Sequence, residues 1–434
     1  MVLTSLLQMR VLLLNQCFYP DVAATGQYLT ELAVALSERG HEVTVISSQR
    51  GYDDPTVVFP KRETWRGIQI IRLATVSLGK KGRGRRALNF ASFFIACAWR
   101  LLLLPGFDVV VALTSPPLIS WLGSTFVRLK GGRLLFWVMD LNPDEAIAAG
   151  WLQKDSLTAR SLESLLRNSM RHSAKIVALD RFVKQRVMEK GIEDSKIAVL
   201  PPWSHDGSVS YDRAGRDRFR EQHGLQGKFV VMYSGNHSPC HPLDTLLQAS
   251  LALREREEIA FCFVGGGSEQ AKVRQFAQDH DLESILCLPY QPLDDLAASL
   301  SAADLHVVVM GNAFAGILHP CKIYNILAIG SPFLYIGPHE SHIADLLSRP
   351  GEQDSNYMAE HGEVAQVVKS ISECATRANI ERREHNSGLA RGFAKELLLP
   401  RLVSLIESAT VEGVVKNTIP ASGVGLRAGA GPPS

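Results

Sequence analysis

The stretch best equipped for chemistry is residues 319–332, HPCKIYNILAIGSP, with a His, a Lys three residues later, and a Gly-Ser-Pro stop. Ile323, Ile326 and Leu327 share one face at helical spacing, and Gly330-Ser331-Pro332 ends the run. A helix that opens after His319-Pro320, with Lys322 in its first turn, directs free backbone N–H groups and one cation at a single point. That arrangement suits an anion, most readily a phosphate. His319, Tyr324 and Asn325 lie close enough to contact the rest of such a ligand. The competing reading is a buried helix whose lysine reaches out to solvent.

Other loops point to the same chemistry. Apolar runs at 228–233, 259–264, 285–288 and 305–310 end in Ser234-Gly235-Asn236-His237, Gly265-Gly266-Gly267, Pro289-Tyr290 and Gly311-Asn312. Ligands of doubly wound sheets sit at the carboxyl ends of strands, and glycine there permits close backbone approach. His237 ends the first of these loops, and His241 joins Lys322 as a possible cation. Taken alone, Gly265-Gly266-Gly267 is more often a turn; the ordered set on one rim suits a nucleoside diphosphate. In the first half, the loop CFYPDVAATGQ after the first run contains Thr25-Gly26, where a glycine leaves room for phosphates. Asp140 follows the run LLFWVM, at a strand end facing the cleft, and is a candidate catalytic carboxylate. An Asx turn or helix cap is its rival role. The single D-x-D, Asp279-His280-Asp281, ends a surface-patterned helix and does not predict a metal.

The elements that must position these residues alternate. Apolar runs at 10–15, 42–47, 68–73, 108–113, 134–139, 175–179 and 197–200 are separated by helical patterns, which predicts a parallel sheet. A polar segment, 203–227, links it to the second series. The expected fold is α/β, with two doubly wound Rossmann-like domains facing each other across a cleft. Residues 1–205 are expected to form the first domain and 206–379 the second. Residues 408–434 are rich in Gly, Pro and Ala without periodicity, and are expected to be a disordered tail.

Composition narrows the classes. The chain has 434 residues, 46% hydrophobic and 21% charged, with net charge +2, so no global charge calls for nucleic acid. Its seven Cys are scattered and include no C-x-x-C, which fits reduced thiols in the cytosol. Residues 1–7 do not read as a secretory signal, and a start at Met9 would suit the first strand equally well. Residues 80–86, KKGRGRR, place five cations before LNFASFFIACAWRLLLL at 88–104. That helix is short for a span, which needs about 20 apolar residues. Residues 80–104 predict instead an interfacial helix on an anionic membrane surface, peripheral to the cytoplasmic face.

The chain resembles GT-B glycosyltransferases of family four, nearest to bacterial members that build capsule, O-antigen and colanic-acid-type polysaccharides. In the first half the likeness rests on Tyr19-Pro20, Thr25-Gly26, Glu38-Arg39-Gly40-His41-Glu42-Val43 and Asp140-Leu141-Asn142-Pro143. In the second it rests on Tyr233-Ser234-Gly235-Asn236, residues 243–247, Phe263-Val264-Gly265-Gly266-Gly267, and Lys322, Tyr324, Ala328, Gly330 and Pro332. The resemblance implies a retaining, metal-independent transfer from a nucleotide-diphosphate sugar held by the second domain. The acceptor, a lipid-linked saccharide or other cell-envelope glycan, lies on the first, and no cofactor is needed. It also implies that residues 380–407 form a helix crossing back to the first domain. Two family glutamates fall at Ile317 and Asn325, and the usual Arg and Lys of the first loop fall at Asn236 and His241. Same-fold alternatives are a sugar-nucleotide epimerase and a non-catalytic partner subunit.

Overall fold

A computed structural model describes residues 8–21, 23–51, 54, 56–76, 83–204, 209–349, 356–377 and 389–417. In the first half, short runs of Val, Leu and Ile form strands buried on both faces, as crossover helices on each side require. They are β1 (Arg10–Leu14), β2 (Glu42–Ser48), β3 (Arg62–Trp65), β4 (Ile68–Leu73), β5 (Val109–Ala112), β6 (Arg133–Val138), β7 (Lys175–Ala178) and β8 (Ile197–Val199). Their order is β3-β4-β2-β1-β5-β6-β7-β8, parallel throughout except for β3, an antiparallel edge strand on β4. The helices are α1 (Ala24–Glu38), α2 (Arg83–Leu103), α3 (Ile119–Lys130), α4 (Asp144–Ala148), α5 (Leu157–His172) and α6 (Arg181–Glu189).

The second half opens with α7 (Arg213–Gln222) and continues with β9 (Phe229–Asn236), α8 (Asp244–Ala252), β10 (Ile259–Gly266), α9 (Gln270–Asp279), β11 (Ile285–Leu288), α10 (Leu296–Ser301) and β12 (Leu305–Val309). It closes with α11 (Lys322–Ala328), β13 (Phe333–Ile336), α12 (His342–Leu347), β14 (Tyr357–Ala359) and α13 (Val364–Thr376). This sheet is wholly parallel, in the order β11-β10-β9-β12-β13-β14. Strand order reverses between β1 and β5 in one sheet and between β9 and β12 in the other. In doubly wound sheets the carboxyl ends of such pairs are where ligand crevices form.

A final helix, α14 (Lys395–Asn417), packs on α1, β5 and β6 of the first lobe. Leu398, Leu402, Val403 and Ile406 are buried there, and Glu407 accepts from Arg39 at 2.9 Å and His41 at 3.1 Å. The helix therefore runs to Asn417, so residues 408–417 are helical rather than tail. The rest of the expected tail, 418–434, lies outside the described residues, as do 1–7, 80–82, 205–208 and 380–388 of other expected segments.

One apolar core runs through both lobes, from Val11, Leu13 and Trp137 to Ile323, Tyr324 and Leu327. Each such side chain contributes roughly 1.5–3 kcal/mol on burial, so the lobes meet over a substantial hydrophobic contact. Helix α2 lies on the opposite side of the first sheet. It is not uniformly packed, because Phe93, Cys97 and Leu101 point into the core while Leu88, Ile95, Trp99, Leu102 and Leu103 face outward.

Candidate active site

Lys322 is the first residue of α11, and its side chain crosses to the end of β9. The ammonium stands 3.8 Å from the centre of the Tyr233 ring, and a Cβ on Gly235 would lie 3.0 Å from Nζ. Gly235 has φ +130°, so both its backbone and the space beside it demand glycine. Nζ is buried without a hydrogen-bond partner among the described residues. Burial depresses its pKa from 10.5 to about 7. A buried ammonium with three unused donors beside a glycine turn is poised for an anion.

The histidines on this rim are neutral partners rather than cations. His237 Nδ1 donates to Gly235 O at 3.0 Å, which leaves Nε2 buried and unpaired among the described residues. Burial, then the Lys322 ammonium, hold His237 down to about 4. His241 Nδ1 donates to Val309 O at 2.8 Å, and the same two causes hold it down to about 3. The expectation of a second cation at His241 is thereby corrected, because a desolvated imidazole beside an ammonium does not charge. Lys322 holds the positive charge here.

The glycine run works differently from the expected open ligand edge. Gly265 and Gly235 are register partners, and a Cβ on Gly265 would come 2.1 Å from Gly235 O. One on Gly267 would come 2.1 Å from His237 O and 2.6 Å from the Asn236 Oδ1. These two glycines let the ends of β9 and β10 close on each other, and so shape the turn that meets Lys322. Gly266 lies under the Tyr290 ring, whose hydroxyl donates to Gly266 O at 3.3 Å. Tyr290 is exposed and follows Pro289 at the end of β11.

From the first lobe, Asp140 sits at the end of β6, its backbone N–H donating to Thr114 Oγ1 at 3.3 Å. Burial and then the charge of Glu145 push its carboxyl up to about 7. Glu145 accepts from Asn142 Nδ2 at 2.8 Å in the turn that starts α4. The Cys240 and Cys321 thiols of the second lobe feel the Asp140 charge and, chiefly through burial, are raised to about 12. Asp140 is therefore within electrostatic reach of second-lobe residues Cys240 and Cys321, as a carboxyl able to gain or lose a proton near neutrality.

Thr25 and Gly26 belong to the first turn of α1, not to a loop. Thr25 Oγ1 lies 3.4 Å from Asn15 Nδ2 at the end of β1. Gly26 is buried, and a Cβ there would meet the Cys17 and Phe18 backbone at 3.2 and 3.3 Å. Its bare Cα is packed against the protein's own chain, which gives the glycine a structural use of its own.

His319 and Tyr324 are also redirected. His319 Nδ1 donates to Asp180 Oδ2 of the first lobe at 2.8 Å, and Nε2 accepts from the Tyr324 hydroxyl at 2.6 Å. Neither ring nitrogen is left for a donor sugar. Asn325 is half-buried on α11, whereas Ile317 is buried among Phe136, Val138 and Leu141 of the first lobe. Its carbonyl accepts Leu141 N–H at 3.0 Å. Thus the position expected for a family carboxylate here serves lobe contact. Asp180, His342 and Glu145 were not singled out from sequence, and Tyr233 entered only as part of Tyr233-Ser234-Gly235-Asn236. Only Asp180 left a signal, as an Asp immediately before a helical pattern.

Among the described residues, Asp180, His319 and His342 form a group with metal-ligand chemistry. The two imidazoles stack at 3.7 Å with planes 17° apart, so their in-plane lone pairs run side by side rather than converging. Asp180 Oδ2 is already at hydrogen-bond distance from one of them, and the geometry fits a hydrogen-bonded cluster better than a coordination site.

A lone ammonium at one switch point, opposite the strand ends of a second lobe, is an arrangement suited to a two-lobed enzyme that grips a phosphorylated donor. Residues 24–203 match the family described as a glycosyl transferase 4-like domain, and residues 215–318 match glycosyl transferases group 1. The chain belongs to the GT-B glycosyltransferases built from these two domains. It is similar to the putative colanic acid biosynthesis glycosyl transferase WcaI of Escherichia coli (strain K12), with 24% identity over 406 residues, covering 91% of this chain and 93% of that one. It is also similar to the probable glycosyltransferase WbjE of Pseudomonas aeruginosa, with 24% identity over 56% of this chain and 61% of that one. Among solved structures, Anabaena HepE in complex with UDP and glucose superposes with a TM-score of 0.69 at 14% identity, over 92% of this chain and all of that one. WaaG, a glycosyltransferase involved in lipopolysaccharide biosynthesis, gives 0.66 at 18% identity over 91% of this chain and 99% of that one.

Proposed function

We propose that this glycosyltransferase moves a hexosyl or N-acetylhexosaminyl unit, with retention and without a metal ion, from a nucleotide-diphosphate sugar to a lipid-linked saccharide or other cell-envelope glycan. The observation that carries the proposal is the buried, unpartnered Lys322 ammonium beside the Gly235 turn. As the donor diphosphate departs, that charge would stabilise it in a site of low dielectric. Asp140, across the crevice, would orient the acceptor hydroxyl or take its proton. The WcaI-like relationship supports polysaccharide assembly, HepE's bound UDP supports a nucleotide donor, and retention and metal independence follow the family-four resemblance.

The membrane-face reading is supported by α2. Ile95 and Trp99 are 69% and 66% exposed, and Leu102 and Leu103 continue the outward stripe. Arg85 is exposed near the start of the same helix. An apolar stripe beside cations fits an anionic interface on the cytoplasmic side, where a lipid-linked acceptor would be presented. No helix among the described residues is long and apolar enough to cross a membrane.

The test is a thermal-shift panel of UDP, GDP, ADP and dTDP and their sugars, with Lys322→Met alongside. A ligand that binds only the folded state raises the melting temperature by mass action. Stabilisation of the wild type by one nucleotide, lost in Lys322→Met, supports the proposal; turnover of the matching sugar nucleotide completes it. Absence of any shift favours the non-catalytic partner subunit, a reading to which the apolar Ile317 lends its own support.

A further inference from the structure

The two lobes are joined around residues 315–319 by contacts outside the crevice. Asp180 caps α6 with Oδ1, which accepts from Phe182 and Val183 N–H, both at 2.8 Å. Its Oδ2 faces the second lobe, 2.8 Å from His319 Nδ1 and 3.6 Å from His342 Nδ1. Beside it, Arg181 makes a two-point pair with Asp345 of α12. Gly316 has φ +71°, and a Cβ there would lie 2.9 Å from Phe182 O, so the lobes touch backbone to backbone.

That contact is wired to the donor side. His319 precedes Lys322 by three residues, and Tyr324, which donates to His319, follows it by two. The Tyr324 ring packs on Phe393 at 4.8 Å, in the segment leading to α14. Helix α11 is therefore held at its start by a carboxylate of the other lobe, through one imidazole. His342 stacks on that imidazole, and its Nε2 is buried without a partner among the described residues.

We propose that Asp180 and His319 are positioning residues: the first-lobe carboxylate, through His319 and Tyr324, sets the aim of Lys322, so that grip on the donor depends on the lobes being docked. The proposal rests on the donor-site reading of Lys322 given above. Neither residue touches the donor. A nucleoside diphosphate entering beside Gly235 would meet a Lys322 already fixed, with less ordering left to be done at binding.

The experiment compares wild type, His319→Ala, His319→Gln, Asp180→Ala and Lys322→Met. It uses calorimetric titration with UDP, GDP, ADP and dTDP, with small-angle scattering of the unliganded proteins. A glutamine amide can still donate to Asp180 and accept from Tyr324, so His319→Gln restores the link that His319→Ala breaks. With a nucleotide that wild type binds and Lys322→Met does not, the expected results are a loss of at least ~10-fold in His319→Ala and recovery to within ~3-fold in His319→Gln. Equal affinity in His319→Ala and wild type overturns the proposal, as does an equal loss in Ala and Gln, which marks mere packing. If wild type binds none of the four, the donor-site reading has failed, and scattering decides this one separately. A larger radius of gyration in His319→Ala and Asp180→Ala, at unchanged circular dichroism, supports the lobe link, and an unchanged radius overturns it. Should Asp180→Ala not fold for want of its helix cap, the His319 pair carries the test alone.

Discussion

Lys322→Met keeps most of the side-chain stem and deletes the ammonium, and the variant is expected to make the unliganded protein more stable. The depression from 10.5 to about 7, at ~1.4 kcal/mol per tenfold change in proton affinity, sets an upper figure of roughly 4 kcal/mol for the cost of this site at neutral pH. The Tyr233 face returns on the order of 1–2 kcal/mol by cation–π attraction. A net gain of about 2 kcal/mol for methionine follows. Its pH dependence has a defined sign. Between about pH 7 and about pH 10.5 the unfolded chain holds a proton that the folded chain has released, so wild-type stability climbs with pH across that window. The advantage of methionine is then full below about pH 7 and fades toward about pH 10. Urea unfolding of both proteins at several pH values reads it directly. A methionine variant less stable than wild type at every pH, or an advantage indifferent to pH, would refute the buried-charge reasoning.

Further outcomes follow from other parts of the molecule. Asp140→Asn should leave nucleotide affinity intact and lower turnover on the order of 10²-fold. If Asp140 accepts a proton, wild-type turnover rises through about pH 7 and the asparagine variant is flat there; matching profiles exclude that role. Asp304 receives Arg216 at 2.6 Å, Arg220 at 2.5 Å and Val230 N–H at 2.8 Å, pinning α7 to β9. Asp304→Ala should cost about 3–5 kcal/mol in urea unfolding, since it strands buried guanidinium groups. Replacing Ile95 and Trp99 together with serine should leave the melting temperature nearly unchanged, because both face outward. Sedimentation with phosphatidylglycerol vesicles should fall at least ~10-fold; undiminished sedimentation removes α2 as the contact.

Periodicity and strand-end composition made both parallel sheets and the Lys322 helix legible in the sequence. The polar edge strand β3 and the elements between β13 and α14 were not anticipated. RETW has little apolar signal of its own, and β3 is held by its antiparallel pairing to β4. At the site, the importance of Lys322 could be read from its place in a helix start, but its burial could not. That depends on Tyr233 and Gly235, some 90 residues upstream. Local neighbourhood misled for His319, which stands three residues from Lys322 yet is claimed by a carboxylate 139 residues away in the other lobe. The glycines show the same limit, because a glycine that admits a ligand and one that admits a neighbouring strand look identical in one dimension. Gly265 admits its neighbouring strand and Gly26 the Cys17-Phe18 loop, and only strand register or helix packing shows it.

The most direct test of the phosphate grip is calorimetric titration of the stabilising nucleoside diphosphate in buffers of different ionisation enthalpy, at about pH 8 to 9. Above its depressed pKa, the unliganded Lys322 is mostly the neutral amine, and a bound diphosphate draws the proton back. Uptake approaching one proton per nucleotide in wild type, absent in Lys322→Met, is the predicted result. Tight binding with no proton uptake, unchanged in Lys322→Met, would contradict the claim that this ammonium holds the donor.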